Sequence, residues 1–294
     1  MKHHSQIQGF TLVELVIVIV LTGIIGASIA VFFKPAIDSY FDTRRRADLT
    51  DMADTALRRM AQDIRRAVPN SIRPVSASCF QLVPTLAGGR YRMAPNTTPN
   101  PNFPATSTDP YLDPAGCTPS ASCSAPLDTS VATSIFDSLT PLSTTPAIDD
   151  WIVINNQNGS DVYTGINRSQ ISAIAGPTRA SDGLHRITVA ATQFSSGYDG
   201  GRFVAVANSE QSIFYSCVGN TLYRSVTGFG ADQATTCGLN NGAIVATDVA
   251  GCTFIHNPNQ GATQQSGFIW MRLQLSRSGE NVTLTHGVHV SNVP

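Results

Sequence analysis

The chain has 294 residues and a formal net charge of -1, and only 13% of its residues are charged, against about 25% in average soluble proteins. This near-neutral balance argues against a nucleic-acid binder that works by phosphate neutralisation, and a 42% hydrophobic content argues against wholesale disorder. The charges are concentrated. Residues 34–73 hold nine basic and six acidic residues, whereas residues 74–294 hold nine basic and thirteen acidic residues.

A long apolar segment follows the N-terminus. Residues 15–33 contain no charged side chain, and about 20 apolar residues are needed to span a bilayer as a helix. Lys2, His3 and His4 precede this segment and favour a cytoplasmic N-terminus. The sequence therefore predicts one membrane helix, with the rest of the chain outside the cytoplasm.

Two simpler interpretations of this segment remain open. It could be a secretory signal with a small-residue cleavage site at residues 28–30, or a permanent anchor that is never cut. Neither explains Glu14, because a carboxylate inside an apolar segment is costly in a membrane unless it is paired.

The residues from Gly9 to Glu14 read GFTLVE, after a short polar leader and before the apolar run. This order closely resembles the class III signal of type IV pilins and type II secretion pseudopilins. The resemblance implies cleavage between Gly9 and Phe10 by a prepilin peptidase, N-methylation of Phe10 and retention of the apolar helix.

Glu14 has a physical role that fits this resemblance. Cleavage would leave a positive amine on Phe10, which the Glu14 carboxylate of a neighbouring subunit could neutralise. Such a pair in a low-dielectric bundle specifies register more than it adds stability. We therefore predict that Glu14 is an assembly residue.

Apolar residues continue at a spacing of three or four beyond Pro35, where a kink or a loosened turn is expected, and Pro69 ends the run. This spacing predicts an amphipathic helix with one buried stripe. The stripe comprises Ile37, Phe41, Leu49, Met52, Ala53, Ala56, Leu57, Met60, Ile64 and Val68. Asp42 with Arg46 and Asp54 with Arg58 are expected to pair at i,i+4. The arginine clusters of this region are interpreted as a solvated face that contacts acidic neighbouring subunits, and not as a nucleic-acid site.

The rest of the chain predicts an antiparallel sheet. Strand candidates are residues 78–83, 151–154, 186–191, 202–207, 213–218, 221–226, 243–248, 252–256, 268–276 and 281–290. Gly88-Gly89 is interpreted as a turn, Gly219-Asn220 as a two-residue hairpin and residues 278–280 as a three-residue hairpin. Ile269, Met271, Leu273 and Leu275 are expected to form the inner face of one half-buried strand.

These elements predict an α+β, type IV pilin-like fold, in which the apolar half of a long N-terminal helix protrudes and the amphipathic half packs on an antiparallel sheet. The predicted division is a leader at 1–9, a transmembrane and assembly half-helix at 10–33, an amphipathic half-helix at 34–68, a region at 69–150 with a Pro/Ser/Thr-rich insertion at 94–130, and a sheet region at 151–294.

Two further stretches, 56–71 and 268–294, resemble the larger minor pilins of mannose-sensitive haemagglutinin (MSHA) type pili, the MshO-like family, which is related to J-type minor pseudopilins. This resemblance implies a non-enzymatic minor pilin that initiates or caps a pilus. It implies as partners the prepilin peptidase, other major and minor pilins, an inner-membrane assembly platform and membrane lipid, and a location in the inner membrane and then on the pilus. A minor pseudopilin of type II secretion is the alternative. A tip adhesin that binds through residues 94–150 is an alternative of another class.

All six cysteines follow the membrane segment, which favours disulfides in an exported head. Proximity in the sequence suggests Cys117–Cys123 and Cys217–Cys237, which leaves Cys79–Cys252. The cysteine spacings fit no zinc site, and no catalytic motif or cofactor site is recognisable. Asp149-Asp150 is interpreted as a structural cap in preference to part of a calcium site.

Overall fold

The computed structural model describes residues 9–97, 109, 112–120, 122–176, 182–196, 200–230, 237–257 and 266–291. It begins with one 54-residue helix, α1, from Leu12 to Arg65. The Thr11 side chain caps this helix by accepting a hydrogen bond from the Glu14 amide at 3.3 Å. The helix runs on through Pro35, which removes one backbone hydrogen bond without ending it. At a rise of about 1.5 Å per residue, α1 is about 80 Å long.

The C-terminal part of α1 buries one apolar stripe against the head. Its buried apolar residues are Leu49, Ala53, Ala56, Leu57, Met60, Ala61 and Ile64. This spacing of three and four matches the predicted amphipathic helix. The stripe begins at Leu49 and not near residue 34, because Ile37 and Phe41 are 50% and 49% exposed. The protruding part of the helix is therefore longer than the apolar segment alone.

Among the described residues, fourteen strands and two short helices follow α1. The strands are β1 (Arg73–Ser76), β2 (Cys79–Leu82), β3 (Ala87–Arg90), β4 (Thr133–Ser138), β5 (Trp151–Ile154), β6 (Arg168–Ala175), β7 (His185–Thr192), β8 (Arg202–Val206), β9 (Ser212–Val218), β10 (Thr221–Thr227), β11 (Ala243–Ala246), β12 (Val249–Asn257), β13 (Ser266–Arg277) and β14 (Glu280–Ser291). The helix α2 spans Asp161–Thr164, and a single 3-10 turn spans Asn208–Glu210.

The strands form three antiparallel sheets. One has the order β1-β2-β9-β10-β11, the second β12-β13-β14 and the third β3-β8-β5-β6-β7-β4. The helix α1 contacts β13, β14 and β11, and its stripe shares one core with residues of the first two sheets. The predicted α+β, type IV pilin-like architecture is therefore confirmed.

The third sheet closes into a barrel, because its edge strands β3 and β4 also meet. Tyr91 forms a bridge with Ser138. The Arg92 amide donates to the Asp137 carbonyl at 2.9 Å, and the Leu139 amide donates to the Arg90 carbonyl at 2.7 Å. A separate core fills the interior, with Ala87, Tyr91, Leu127, Phe136, Ile152, Ile154, Ile171, Ile187, Val189, Phe194, Phe203 and Ala205.

This barrel is inserted between two neighbouring strands of the first sheet. The strands β2 and β9 pair directly, with Leu82 opposite Ile213, and residues 84–211 leave and return between them. We call residues 84–211 the barrel module, and α1 together with β1, β2 and β9–β14 the scaffold. A third cluster, which includes Val68, Val83, Val153 and Val206, joins the two units. Residue 150, after which the predicted sheet region follows the insertion-containing region, lies within residues 84–211.

The strand predictions agree best with the structure where apolar and polar residues alternate along the sequence. Ile269, Met271, Leu273 and Leu275 are all buried, as expected for the inner face of β13. The strands β1, β4 and β6 were not predicted. The interpretation of Gly88-Gly89 as a turn is wrong, because both glycines lie within β3.

One hairpin turn matches its prediction and the other is shorter than expected. Gly219-Asn220 joins β9 to β10 with a positive φ of 57° at Gly219 alone, as in a type II′ turn. The second turn contains Ser278 and Gly279, because Glu280 already pairs with Arg277 in the ladder. The φ angles at these two positions are 51° and 86°. Such positive values favour glycine and small residues, which explains why Ser278 and Gly279 form this turn.

The disulfides differ from the predicted set in two of three bonds. Cys117 pairs with Cys123, as expected, but Cys79 pairs with Cys237 and Cys217 with Cys252. The predicted pairs Cys217–Cys237 and Cys79–Cys252 are therefore wrong. The physical reason is a return of the chain after β10: the Leu239 carbonyl accepts a hydrogen bond from the Ser216 hydroxyl, which brings this segment across β9 and beside β2.

Candidate functional site: the N-terminal helix and its anchor in the head

The predicted processing segment lies at the start of α1. Gly9 and Phe10 precede the helix and Phe10 is 79% exposed. Among the described residues, none beyond its two chain neighbours has an atom within 4 Å of the place that a Cβ on Gly9 would take. The described part of the head therefore does not cover this segment. Residues 1–8 of the predicted leader lie outside the described residues.

Glu14 occupies the third helical position, where the negative end of its side chain suits the helix dipole. With Thr11 as the N-cap, the pattern Thr-x-x-Glu is that of a capping box. Only half of the box forms, because Thr11 accepts from the Glu14 amide while the carboxylate makes no hydrogen bond or ion pair within the described part of the chain. The Glu14 side chain is therefore available to a cation on another molecule.

The first half of α1 is apolar on all sides. Every large apolar side chain from Leu12 to Phe33 is exposed in the isolated chain, and among the described residues α1 is the one helix long and apolar enough to cross a membrane. Its hydroxyls are satisfied internally, since Thr22 donates to the Val18 carbonyl at 2.7 Å and Ser28 to the Ile24 carbonyl at 2.8 Å. Apart from Glu14, the described half of α1 from Leu12 to Phe33 leaves no side-chain polar group unpaired, and such a segment suits lipid or a bundle of similar helices.

A buried ionic network anchors the other end of α1. Asp63 is 4% exposed. Its carboxylate accepts hydrogen bonds from the Tyr215 hydroxyl of β9 at 2.8 Å, from Nε of Arg224 of β10 at 2.8 Å and from Arg66 at 2.6 Å. Arg224 also donates to Glu210 at 2.7 Å. One carboxylate of the helix thus holds two strands of the first sheet.

Burial and hydrogen bonding act in opposite directions on this carboxylate. Burial alone would raise the pKa of Asp63, but the hydrogen bonds from Arg224, Tyr215 and Arg66 together outweigh it and lower the pKa below the ordinary value of 3.8. Burial and the negative charge of Asp63 raise the pKa of Tyr215. At neutral pH the network therefore contains a carboxylate, a neutral phenol and guanidinium groups.

Further ion pairs lie within α1 and between α1 and β14. Arg46 pairs with Glu280 at the start of β14, whereas the expected Asp42–Arg46 pair is replaced by Asp42–Arg45. The Asp54–Arg58 pair forms as predicted, at 2.6 Å. Exposed pairs of this kind contribute little to stability, so Asp63 is the stronger anchor.

Part of the Pro/Ser/Thr-rich insertion is fixed to the barrel. The Arg186 side chain binds Asp137 at 2.7 Å and donates to the Cys123 carbonyl at 2.9 Å. Asp113 accepts from the Asn96 and Ser124 amides at 2.7 and 3.0 Å. Residues 98–108 of this insertion lie outside the described residues.

The Asp149-Asp150 pair has a structural function. The Asp150 carboxylate accepts hydrogen bonds from the Ala147 and Asn208 amides, both at 2.8 Å, and Asp149 adopts a positive φ of 74° before β5. Within the described part of the chain, no group of His, Cys, Asp and Glu side chains is arranged to hold a metal ion.

The sequence analysis does not single out Asp63 as an anchor of α1. The signal was present, because Asp63 stands beside Met60 and Ile64 on the buried side of the predicted amphipathic helix. A charged residue on an apolar stripe requires a buried partner, but the two partners from the sheet, Tyr215 and Arg224, are more than 150 positions away in the chain.

Comparison with known proteins finds one similarity, which lies at the N-terminus of the chain. Residues 4–30 match the family model of the prokaryotic N-terminal methylation motif. No curated protein and no solved structure matches the chain. The motif implies processing by a prepilin peptidase and assembly with other pilins, and it fits a membrane-anchored structural subunit. With its protruding apolar helix and its helix-on-sheet head, the chain therefore has both the processing signal and the architecture of a type IV pilin-like or pseudopilin subunit.

Proposed function

We propose that the chain is a minor pilin of an MSHA-like type IV pilus, which is cleaved between Gly9 and Phe10, methylated on Phe10 and assembled through α1. The observation that carries this proposal is Glu14, which lies four residues from the new amine in the apolar first half of α1 and whose carboxylate has no hydrogen bond or ion pair in the described part of the chain. The large head supports a minor rather than a major subunit, because the inserted barrel module would be difficult to repeat densely along a thin fibre.

The role of Glu14 is tested by Glu14→Ala, expressed in a strain that assembles the pilus and lacks the native copy. We expect normal cleavage, read as the mass of the mature N-terminus with one methyl group, and a loss of the subunit from sheared pili. The reason is that the Phe10 amine of one subunit would lose its counter-ion in an apolar bundle.

Two controls make this test specific. Glu14→Asp retains the charge and should restore part of the incorporation, while Asp38→Ala, on the protruding part of α1, should leave it unchanged. Normal pilus incorporation of Glu14→Ala would exclude the proposed pairing. A mature chain that starts after Ala30 would instead identify an ordinary secretory signal.

The filament in which the subunit works is a separate question. A minor pseudopilin of type II secretion would undergo the same processing and would use the same Glu14 contact. Deletion of the gene distinguishes the two, since loss of pili with normal protein secretion supports the pilus, and the reverse supports the secretion system.

We infer a second possible role, attachment at the pilus tip, from the barrel module. The module has its own core and holds one part of the 94–150 region against β7 through Arg186. Deletion of residues 98–108 should leave pilus assembly intact and reduce surface attachment if this region binds a target. Unchanged attachment would argue against the role.

A further inference from the structure

A cavity of about 300 Å³ opens on the outer face of the barrel module, beside the exit from α1. Val68 and Pro69 of the helix exit form one wall, and Val153 and Val204 of the barrel form another. This volume lies at the lower end of the range of about 300–1,000 Å³ for small-molecule pockets, which are mostly apolar with a few placed polar groups. The cavity therefore fits a compact ligand.

Glycine at position 88 keeps this cavity open. Side chains alternate across β3 and β8, so Gly88 and Arg90 share the outer face with their cross-strand partners Val204 and Arg202. A Cβ on Gly88 would meet only ordinary contacts, at 3.5 Å from the Phe203 carbonyl oxygen and 3.7 Å from Val204. A larger side chain there would fill the cavity from the barrel side without disturbing the barrel interior.

Two arginines stand directly opposite each other at this cavity. Arg90 of β3 and Arg202 of β8 are register partners, and both line it. Like charges in this position destabilise a sheet, and neither arginine forms an ion pair within the described part of the chain. Arg90 makes one weak contact, from its Nε to the Gly200 carbonyl at 3.3 Å. Both arginines are exposed, so the pair forms a positively charged edge of the cavity that suits an anion.

The floor of the cavity is held rigidly. Asn156 donates to the Pro69 carbonyl at 2.6 Å and accepts from the Val162 amide at 3.0 Å, which ties the end of β5 to the helix exit. The adjacent Asn155 has a positive φ of 52° and donates to the Ser195 carbonyl at 2.8 Å. A site that is formed before its ligand arrives loses little conformational entropy on binding.

We propose that this cavity binds a small amphiphilic carboxylate, with its apolar body against Val68, Val153 and Val204 and its carboxylate on Arg90 and Arg202. Paired guanidinium groups match the planar geometry of a carboxylate. The apolar walls disfavour an inorganic anion or a free sugar, whose polar groups would lose their hydrogen bonds there. This proposal does not depend on filament assembly.

Isothermal titration of the full chain in detergent, with 3-phenylpropionate as the probe, tests the proposal. We expect saturable binding to the wild type and at least about tenfold weaker binding of the uncharged 3-phenylpropionamide, since a hydrogen bond to a charged group contributes about 1.5–3 kcal/mol. Acetate and inorganic phosphate, which lack the apolar body, should bind at least about tenfold more weakly as well.

Variants separate the cavity from non-specific binding. Gly88→Val should abolish binding by filling the cavity. Arg90→Gln and Arg202→Gln should each weaken binding about tenfold, as expected for the loss of one charge-assisted contact. Arg272→Gln, at an exposed arginine of β13, is the matched control and should have no effect. Thermal melts of each variant establish that the barrel remains folded.

Several outcomes would overturn the proposal. They are no binding of 3-phenylpropionate at millimolar concentration, equal binding of the amide, equal binding of phosphate, and normal binding to folded Gly88→Val. If Gly88→Val fails to fold, the two arginine variants decide the question in the same way.

Discussion

Asp63 is the residue through which the helix and the head depend on each other most directly. It lies on the buried side of α1, where an unpaired carboxylate would be costly, and it satisfies both Tyr215 and Arg224 across the scaffold. Substitution by an uncharged residue therefore leaves the Arg224 guanidinium without its counter-charge on α1.

The first prediction concerns Asp63→Asn. We expect a loss of about 3 kcal/mol in the free energy of unfolding, the usual effect of removing one partner of a buried ion pair, measured as the urea midpoint of the full chain in detergent. Asp54→Asn is the control, because the exposed pair with Arg58 contributes at most about 0.5 kcal/mol. Equal effects of the two substitutions would mean that Asp63 is no stronger an anchor than a surface pair.

The second prediction concerns pH. Because the pKa of Asp63 is lowered on folding, its contribution to stability is fully present above the unfolded pKa of about 4 and is lost as the pH falls through the lower folded value. Thermal melts of the wild type between neutral pH and pH about 3 should show this loss. The Asp63→Asn protein should lose less stability over the same window, and identical slopes would contradict the assignment.

At the scale of secondary-structure elements, the sequence predicts those elements that depend on the pattern of neighbouring residues alone. Apolar and polar residues alternate along the central part of β13, and the signal motif is local as well, since the match to the N-terminal methylation motif covers residues 4–30 alone. The strand β3 was missed because Gly88 and Gly89 normally indicate a turn, whereas in this fold they lie beside Phe203 and Val204 of β8. The barrel, the cavity and the Asp63 network depend on contacts between distant segments, which one sequence does not display.

The disulfides provide a prediction at this scale. Non-reducing peptide mapping should recover Cys79–Cys237, Cys117–Cys123 and Cys217–Cys252. Replacing both Cys217 and Cys252 by serine should lower the free energy of unfolding by about 4 kcal/mol, and the same change at Cys117 and Cys123 by about 2 kcal/mol, because the second pair closes a much shorter loop. Recovery of a Cys217–Cys237 peptide would show that the chain does not return across β9.

At the scale of the whole molecule, the head consists of a scaffold and an inserted module. The long N-terminal helix, the first sheet and the second sheet share one core, while the barrel encloses another. Such a module falls within the usual size range of a domain, about 50–200 residues. Residues 84–211, which the sequence analysis divides between an insertion-containing region and a sheet region, thus lie in one module.

This division predicts independent folding of the barrel module. Residues 84–211 expressed in an oxidising compartment should give a β-rich circular dichroism spectrum and a single cooperative melt. The scaffold with an Asn-Gly turn in place of residues 84–211 should retain its Cys79–Cys237 and Cys217–Cys252 bonds, because Leu82 and Ile213 already face each other. An unfolded isolated module would show that it requires the scaffold.

The paired strands β2 and β9 have a mechanical consequence. Tension along a fibre would pass from α1 into the scaffold through Asp63 and the buried stripe. Since the barrel module enters and leaves at adjacent points, the main path of that force does not run through its strands. Force would reach the module only at the helix exit, where Val68 and Pro69 form one wall of the cavity and Asn156 binds the Pro69 carbonyl. A target bound to the module's own surface would load the barrel directly, so retraction and attachment would load the module at different places.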